Sequence, residues 1–179
     1  GELLQQWGEF GTENGQLNRP SGIAFDHDEN LCVVDTQNHR IQKFAKDGKF
    51  LVGFGGFGDG EGRFNMPWGI EVDELGDIYV ADWRNDRVQK LSADGQFIFQ
   101  LGGPGSEDGE FNRPSGVTVD QHGDIYVADR GNNRVQLFNS RGGFVEKFIG
   151  DATLGKQAHS YMITNLMALR LREMSSLEP

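Results

Sequence analysis

The chain lacks any long apolar run, has a single cysteine and carries fewer basic than acidic residues. A transmembrane helix needs about 20 consecutive apolar residues, so we expect no membrane-spanning segment and no membrane partner. No basic stretch followed by an apolar one stands at the start, so no signal peptide is expected either. Cys32 alone cannot form an intrachain disulfide bond, which leaves the cellular compartment open.

The charge balance argues against one class of partner. Lys and Arg number 17 against 27 Asp and Glu, which gives a formal net charge of -10 at pH 7. A protein that binds phosphate backbones needs a clustered basic face. We therefore expect no nucleic-acid partner.

What the chain does contain is an internal repeat. The sequence GDIYVAD at Gly123–Asp129 occurs unchanged at Gly76–Asp82, 47 positions earlier, and a looser copy lies another 47 positions back at Asn30–Asp35. A fixed period of this length is typical of propellers and other repeat proteins. The register predicts three units, which are residues 17–63, 64–110 and 111–157.

Each unit has the pattern of four short strands separated by turn signals. In the third unit these strands are Ser115–Val119, Ile125–Ala128, Arg134–Phe138 and Phe144–Phe148, with glycine in the turns between them. Four antiparallel strands in about 40–50 residues make one blade of a β-propeller. We therefore predict an all-β fold of three propeller blades.

The two ends of the chain depart from the repeat. Residues 1–16 align with the last strand of a unit and the link after it, so we expect an orphan outer strand there. Residues 158–179 lose the repeat, and the apolar positions in 158–174 have the spacing of an amphipathic helix. We predict a C-terminal α-helix, which either packs on the propeller edge or meets another chain.

Four recurring motifs resemble the NHL repeat. They are NRPSGV from Asn112, GDIYVAD from Gly123, NNRVQ from Asn132 and the glycine-rich GFGxxG from Gly53. The resemblance covers residues 3 to about 150 and implies a propeller, usually of six blades, of which this chain would supply half. It also implies a binding platform, since most members act as one, and in one branch these platforms contact proteins or RNA beside a ubiquitin-ligase module. A few members are lyases or hydrolases with a metal in the central channel.

The residues that recur in every unit are interpreted as scaffold. Asp129 and Arg134 flank the turn between the second and third strands. We expect the Asp to cap backbone N–H groups of that turn and the Arg to pair with it. Asn38, Asn85 and Asn132 lie inside the turns, where they suit a positive φ. A single active site would not need the same device in each unit.

Function is expected where the units differ, on the face that carries these turns and the inter-blade links. The candidate binding residues on this face are Trp68, Trp83, Arg84, Arg130 and His39. Trp and Arg are the residues most enriched at binding hot spots, and the second unit supplies three of the five. The alternative is that either Trp packs against the adjacent blade.

The sequence provides no catalytic or metal-binding constellation. His39 is matched by Asp86 and Asn133, so the histidine is not repeated around a channel as converging metal ligands would be. Cys32 replaces a strand tyrosine and belongs to no Cys–His arrangement. We therefore expect no cofactor and no metal.

These observations predict a non-enzymatic propeller platform that binds a protein or peptide partner. The alternative is a metal-dependent lyase or hydrolase of the NHL type, with its site in the central channel. Three blades leave sheet faces exposed at both ends of the array. We therefore also expect two copies to join head to tail into a six-bladed ring, with residues 3–7 completing a blade edge.

Overall fold

A computed structural model of the chain describes Gly1 and residues 5–149, which form twelve strands. In chain order the strands are β1 Pro20–Phe25, β2 Leu31–Asp35, β3 Arg40–Phe44, β4 Phe50–Gly55, β5 Pro67–Val72, β6 Ile78–Asp82, β7 Arg87–Leu91, β8 Phe97–Leu101, β9 Pro114–Val119, β10 Ile125–Asp129, β11 Arg134–Phe138 and β12 Phe144–Ile149. Short 3-10 turns at Thr36–Asn38 and Arg130–Asn132 are the helical segments of this region.

The strands form three four-stranded sheets, which we call blades 1, 2 and 3. Their strand orders are β1-β2-β3-β4, β5-β6-β7-β8 and β9-β10-β11-β12. Neighbouring strands run antiparallel, so that Asp129 at the end of β10 lies opposite Arg134 at the start of β11. This is the all-β arrangement of four strands per repeat that the 47-residue period predicted.

The repeated sequence IYVAD forms the second strand of blades 2 and 3. Side chains alternate between the two faces of a strand, so Ile78 and Val80 of β6 pack in the core between blades 1 and 2. Tyr79 and Ala81 pack in the core between blades 2 and 3. All five residues of β6 are buried. A strand covered on both faces reads as a continuous apolar run, which explains this motif.

The first strands of adjacent blades approach closely at three repeated glycines. A Cβ built on Gly69 would lie 2.8 Å from the Cα of Gly116 and 2.8 Å from the carbonyl oxygen of Ser115. A Cβ on Gly22 would lie 2.5 Å from the carbonyl oxygen of Trp68. Since all these neighbours are backbone atoms, only glycine fits at the contact.

Trp7 covers a turn of blade 1 at a position where the repeat also provides a covering side chain for the next blade. Its indole ring lies 4.7 Å from the ring of Phe44, measured between centroids, and covers Gly48 in blade 1. Phe54 covers Gly95 of blade 2 in the same way. Residues 5–9 are not a strand, and residues 2–4 of the predicted orphan strand lie outside the described part.

The expected fold class, which included a C-terminal α-helix, needs a correction. Residues 5–149 contain no α-helix, so the fold class is corrected to all-β. Residues 158–174, where the apolar spacing suggested the helix, lie outside the described residues. Within the described part, no helix is long and apolar enough to cross a membrane.

The close approach of the first strands gives a testable prediction. Gly69→Ala should lower the free energy of unfolding by about 1–3 kcal/mol, because the new methyl group must push adjacent backbones apart. Gly60→Ala is the matched control, since a Cβ there meets nothing within 4 Å. Urea denaturation of both variants measures the difference. Equal unfolding free energies would show that the two blades separate without cost.

Candidate binding face

The face that carries the turns between second and third strands is held by a buried carboxylate in each blade. In blade 2, Oδ2 of Asp82 accepts hydrogen bonds from Nε of Arg87 at 2.9 Å and from Nδ2 of Asn85 at 2.8 Å. Its Oδ1 accepts the backbone N–H of Asn65, in the segment before β5, at 2.7 Å. Asp82 is fully buried, so a single carboxylate joins the turn, the third strand and the preceding link.

The inter-blade link is fixed by the same third strand. Nη2 of Arg87 donates to the carbonyl oxygens of Gly60 and Arg63, each at 2.8 Å. Gln89 donates to the carbonyl of Arg63 at 2.7 Å and accepts the N–H of Gly62 at 3.0 Å. The equivalent carboxylate, amide and guanidinium groups in the other two blades make matching bonds, namely those of Asp35, Asn38, Arg40, Gln42, Asp129, Asn132, Arg134 and Gln136.

Two details of the predicted turn are wrong. The Asp side chain does not cap its own turn, because its Oδ1 accepts an N–H from the segment before the blade's first strand. The residues with positive φ are His39 at 54°, Asp86 at 50° and Asn133 at 53°, each one position after the predicted Asn. The Asn side chain instead donates to the Asp and to a link carbonyl, as Asn85 does to Gly58. The Asp–Arg pair itself is present in every blade.

Four of the five candidate residues come together on this scaffold. The rings of Trp68 and Trp83 meet edge to face, with centroids 5.3 Å apart and planes at 83°. The guanidinium carbon of Arg84 lies 5.5 Å from the centroid of Trp83, and that of Arg130 lies 5.8 Å from the centroid of Trp68. Cation–π contacts form within about 6 Å, so both arginines are held against the rings.

A third arginine, which the sequence did not single out, completes this cluster. The guanidinium carbon of Arg113 lies 5.4 Å from the centroid of Trp83. Its backbone N–H donates to Oδ1 of Asp86 at 2.7 Å, which bonds the segment before β9 to the turn of blade 2. Arg19 and Met66 hold the same position in the other two repeats, so the sequence does not single out Arg113. Only the packing of adjacent blades shows that it belongs to the cluster. We call Trp68, Trp83, Arg84, Arg113 and Arg130 the Trp–Arg cluster.

The matching pair in blade 1 shows what the tryptophans replace. Ser21 and Thr36 occupy the positions of Trp68 and Trp83, and their hydroxyl oxygens are 2.7 Å apart. Both hydroxyls also donate across to blade 2, to the carbonyl oxygens of Trp68 at 2.8 Å and Pro67 at 2.9 Å. In blade 1 these positions therefore serve the contact between blades, whereas in blade 2 they carry large rings.

The Trp pair is partly exposed and contains an unsatisfied donor. Trp68 is 38% exposed, whereas Trp83 is half-buried. The indole Nε1–H of Trp83 is buried and has no hydrogen-bond partner, a state shared within the described residues only by Oε2 of Glu146. Leaving a buried donor unpaired costs about 1–3 kcal/mol. Within the described residues the Nε1–H of Trp83 is therefore a donor without a partner.

His39 lies beside this cluster but serves the scaffold. Its Nδ1 accepts the backbone N–H of Met66 at 2.9 Å, which bonds the turn of blade 1 to the segment before β5. Its ring also meets the exposed ring of Phe57 edge to face at 5.0 Å. Burial lowers the pKa of His39 below its ordinary value, and the charge of Arg84 lowers it further while Asp82 opposes the shift. The neutral ring is thus favoured.

Other chemistry-bearing groups do not assemble into a reactive site in the described part. No group of three or more His, Cys, Asp or Glu side chains within residues 5–149 is placed to hold a metal ion. Burial raises the pKa of Cys32 to about 11, so its thiol stays protonated and is a poor nucleophile. A cavity of about 370 Å³ at the opposite ends of blades 2 and 3 is lined by Asp73 and Lys90, which already form an ion pair.

The comparison with protein families agrees with the repeat geometry. The family model described as NHL repeat matches residues 17–44, 64–91 and 111–138. Each match covers the first three strands of one blade and the segment before them. The chain is an NHL-repeat protein.

Similar curated proteins share a short segment with this NHL-repeat chain. It is 49% identical over 45 residues to "Protein brain tumor" of Drosophila melanogaster, which covers 25% of the chain and 4% of that protein. It is also 49% identical over 45 residues to "B-box type zinc finger protein ncl-1" of Caenorhabditis elegans, with coverage of 25% and 5%. The chain thus matches only a small part of these long relatives.

Solved structures share the fold of the described blades. A streptogramin B lyase structure superposes with a TM-score of 0.59 at 18% identity, over 82% of this chain and 44% of that one. Hydrazine synthase of Kuenenia stuttgartiensis gives a TM-score of 0.60 at 18% identity, over 84% and 40%. At this identity the likeness shows the fold alone, and the chain spans less than half of each structure.

The depressed pKa of His39 gives a prediction for stability against pH. Protonation of Nδ1 removes the acceptor for Met66, so the contribution of neutral His39 is present above its ordinary pKa of 6.5 and is lost as the pH falls below it. His39→Asn should flatten the loss of stability between about pH 7 and 5, because Asn133 holds the same turn position with φ 53°. Urea unfolding at a series of pH values measures this. Parallel curves for both proteins would contradict it.

Proposed function

We propose that the chain is a non-enzymatic platform that binds a protein or peptide partner on the face carrying the Trp–Arg cluster. The observation that carries the proposal is the pair of tryptophan rings, one of them 38% exposed, with arginines against both. Partly exposed Trp and Arg on a rigid frame are the residues that dominate protein interfaces. Their loops are bonded to the strands, so little ordering is needed on binding.

The distribution of differences among the blades supports the same face. The buried carboxylate network is common to all three blades, whereas Trp68 and Trp83 have small hydroxyl residues as counterparts in blade 1. If these positions served the fold alone, a hydroxyl pair would suffice in each blade. The large rings of blade 2 add exposed apolar surface, which a partner can cover.

The proposal is tested by selecting peptides from a phage-displayed random library on the immobilised protein. Peptides enriched on the wild type should lose at least about tenfold in affinity for Trp68→Ala, because the exposed ring provides part of the contact. Leu75→Ala is the control, since Leu75 is 82% exposed in a turn at the other end of blade 2. Enrichment of the same peptides on all three proteins would reject this face.

We also propose the head-to-tail dimer for the isolated chain. Ile23 and Phe25 of blade 1 are 63% and 64% exposed, whereas Ile70, the counterpart of Ile23 in blade 2, is 7% exposed because blade 1 covers it. On blade 3, Val135 is 37% exposed, whereas its counterpart Val88 is 1% exposed. The exposed face of blade 3 in one copy could cover the exposed face of blade 1 in a second copy. This contact would have the geometry that joins adjacent blades within one chain. The β12 of the copy that supplies blade 3 would then take the place of Trp7 and displace it, so in this dimer residues 3–7 would not complete a blade edge as expected from the sequence.

This dimer is tested by sedimentation analysis of the chain, whose mass is 19.9 kDa. We expect twice that mass at high concentration, and tighter association when residues 1–8 are deleted, because Trp7 then no longer competes for its place. Ile23→Glu should abolish association by burying an unpaired charge. Leu75→Glu, at an exposed turn, is the matched control. Monomers for both the wild type and the deletion variant would contradict the dimer.

A further inference from the structure

From the electrostatics of the Trp–Arg cluster, we infer that its ligand is an acidic peptide segment, with two or more carboxylates beside an apolar side chain. This inference rests on the proposed function and specifies the chemistry of the partner. The cluster combines three exposed guanidinium groups with two indole rings, one of them partly exposed. The carboxylates of the proposed ligand pair with the guanidinium groups, and its apolar side chain covers the partly exposed indole ring.

The three cluster arginines lack the carboxylate partners that the three scaffold arginines have. Arg40, Arg87 and Arg134 each pair with a buried Asp at 2.7–2.9 Å. Within residues 5–149, no ion pair joins the side chain of any cluster arginine to a carboxylate. Asp86 lies at the cluster, but it accepts the backbone N–H of Arg113 rather than its guanidinium. Within the described residues the guanidinium groups of the cluster are therefore free of ion pairs, in a chain of net charge -10.

Stacking prepares these guanidinium groups for an anion. A guanidinium held against an aromatic ring keeps donors free at its edge, and its planar fork matches the two oxygens of a carboxylate. Arg84 and Arg113 both lie against Trp83, where their like charges repel one another. An anion bound at the edges of these guanidinium groups offsets this repulsion, which favours binding.

The same observations favour a peptide over a nucleic acid. Affinity for a phosphate backbone grows with the number of phosphates that basic residues neutralise, and the cluster offers three arginines. The remainder of the acidic chain repels a long polyanion. A short peptide meets only the cluster, and its apolar side chain can cover the exposed ring of Trp68, which gives contact area that phosphates do not use.

The inference is tested by fluorescence anisotropy with two labelled ten-residue peptides of alternating sequence, one of Glu and Leu and one of Gln and Leu. We expect the Glu peptide to bind at least about tenfold more tightly than the Gln peptide, and to weaken as salt is raised. Arg113→Gln with Arg130→Gln should reduce affinity for the Glu peptide at least about tenfold. A ten-nucleotide oligouridine should bind more weakly than the Glu peptide.

The control variant removes the same charge from exposed arginines elsewhere. Arg19→Gln with Arg141→Gln also lowers the net charge by two, and Arg19 shares with Arg113 both the repeat position and a positive φ, 51° against 55°. We expect this variant to bind the Glu peptide within about twofold of the wild type. An equal loss in both variants would show general charge attraction and overturn the inference. Equal binding of the Glu and Gln peptides, or tighter binding of oligouridine, would also overturn it.

Failure of this inference is distinct from failure of the proposed function. If the phage selection enriches peptides that depend on Trp68 but carry no acidic residues, the platform stands and the acidic ligand is rejected. If the selection yields no peptide that depends on Trp68 while the Glu peptide binds through Arg113 and Arg130, the face is an anion site and the role proposed for the tryptophan is rejected.

Discussion

The buried carboxylate at the end of each second strand is the interaction on which the loop face depends. A buried charge is tolerated only when it is paired and hydrogen-bonded, and Asp82 meets that condition with partners from three separate segments. Burial nevertheless raises the pKa of Asp82, and the bonds from Asn65, Asn85 and Arg87 act against that shift. Because moving any one of these segments would remove a hydrogen bond from a buried carboxylate, the turn and the link are held to the strands.

Because the backbone of the loop face is fixed in this way, its exposed side chains can differ between blades. The turn has the same backbone in blades 1 and 3, where His39 and Asn133 both take a left-handed conformation after a 3-10 turn. Side chains at the neighbouring positions can therefore change without altering the path of the chain. Ser21 and Thr36 use those positions to bind the next blade, whereas Trp68 and Trp83 use them to present rings. The difference between blades is one of side chains on a common frame.

The sequence predicted those features that recur at a fixed period, but it did not predict contacts between distant segments. The strands, their register and the Asp–Arg pair follow from the repeat itself. The bond from Asn65 to Asp82 joins residues 17 positions apart, and no local pattern indicates it, so the Asp was assigned to its own turn. Arg113 was missed for a similar reason: its contact with Trp83 exists only because blade 3 packs on blade 2. The repeat identifies the strands and pairs within each blade, but not the contacts that form between two blades.

The acidic balance of the chain bears on how selective the Trp–Arg cluster can be. Net repulsion from a protein of charge -10 opposes every anion that approaches it. An anion binds only where local attraction exceeds that repulsion, and we propose the three arginines held on Trp68 and Trp83 as such a place. The repulsion falls with distance and is screened within about 10 Å at 0.1 M salt, so it acts most strongly on long polyanions that extend beyond the cluster. Specificity is a difference between affinities, and here the acidic surface increases that difference in favour of a short acidic segment.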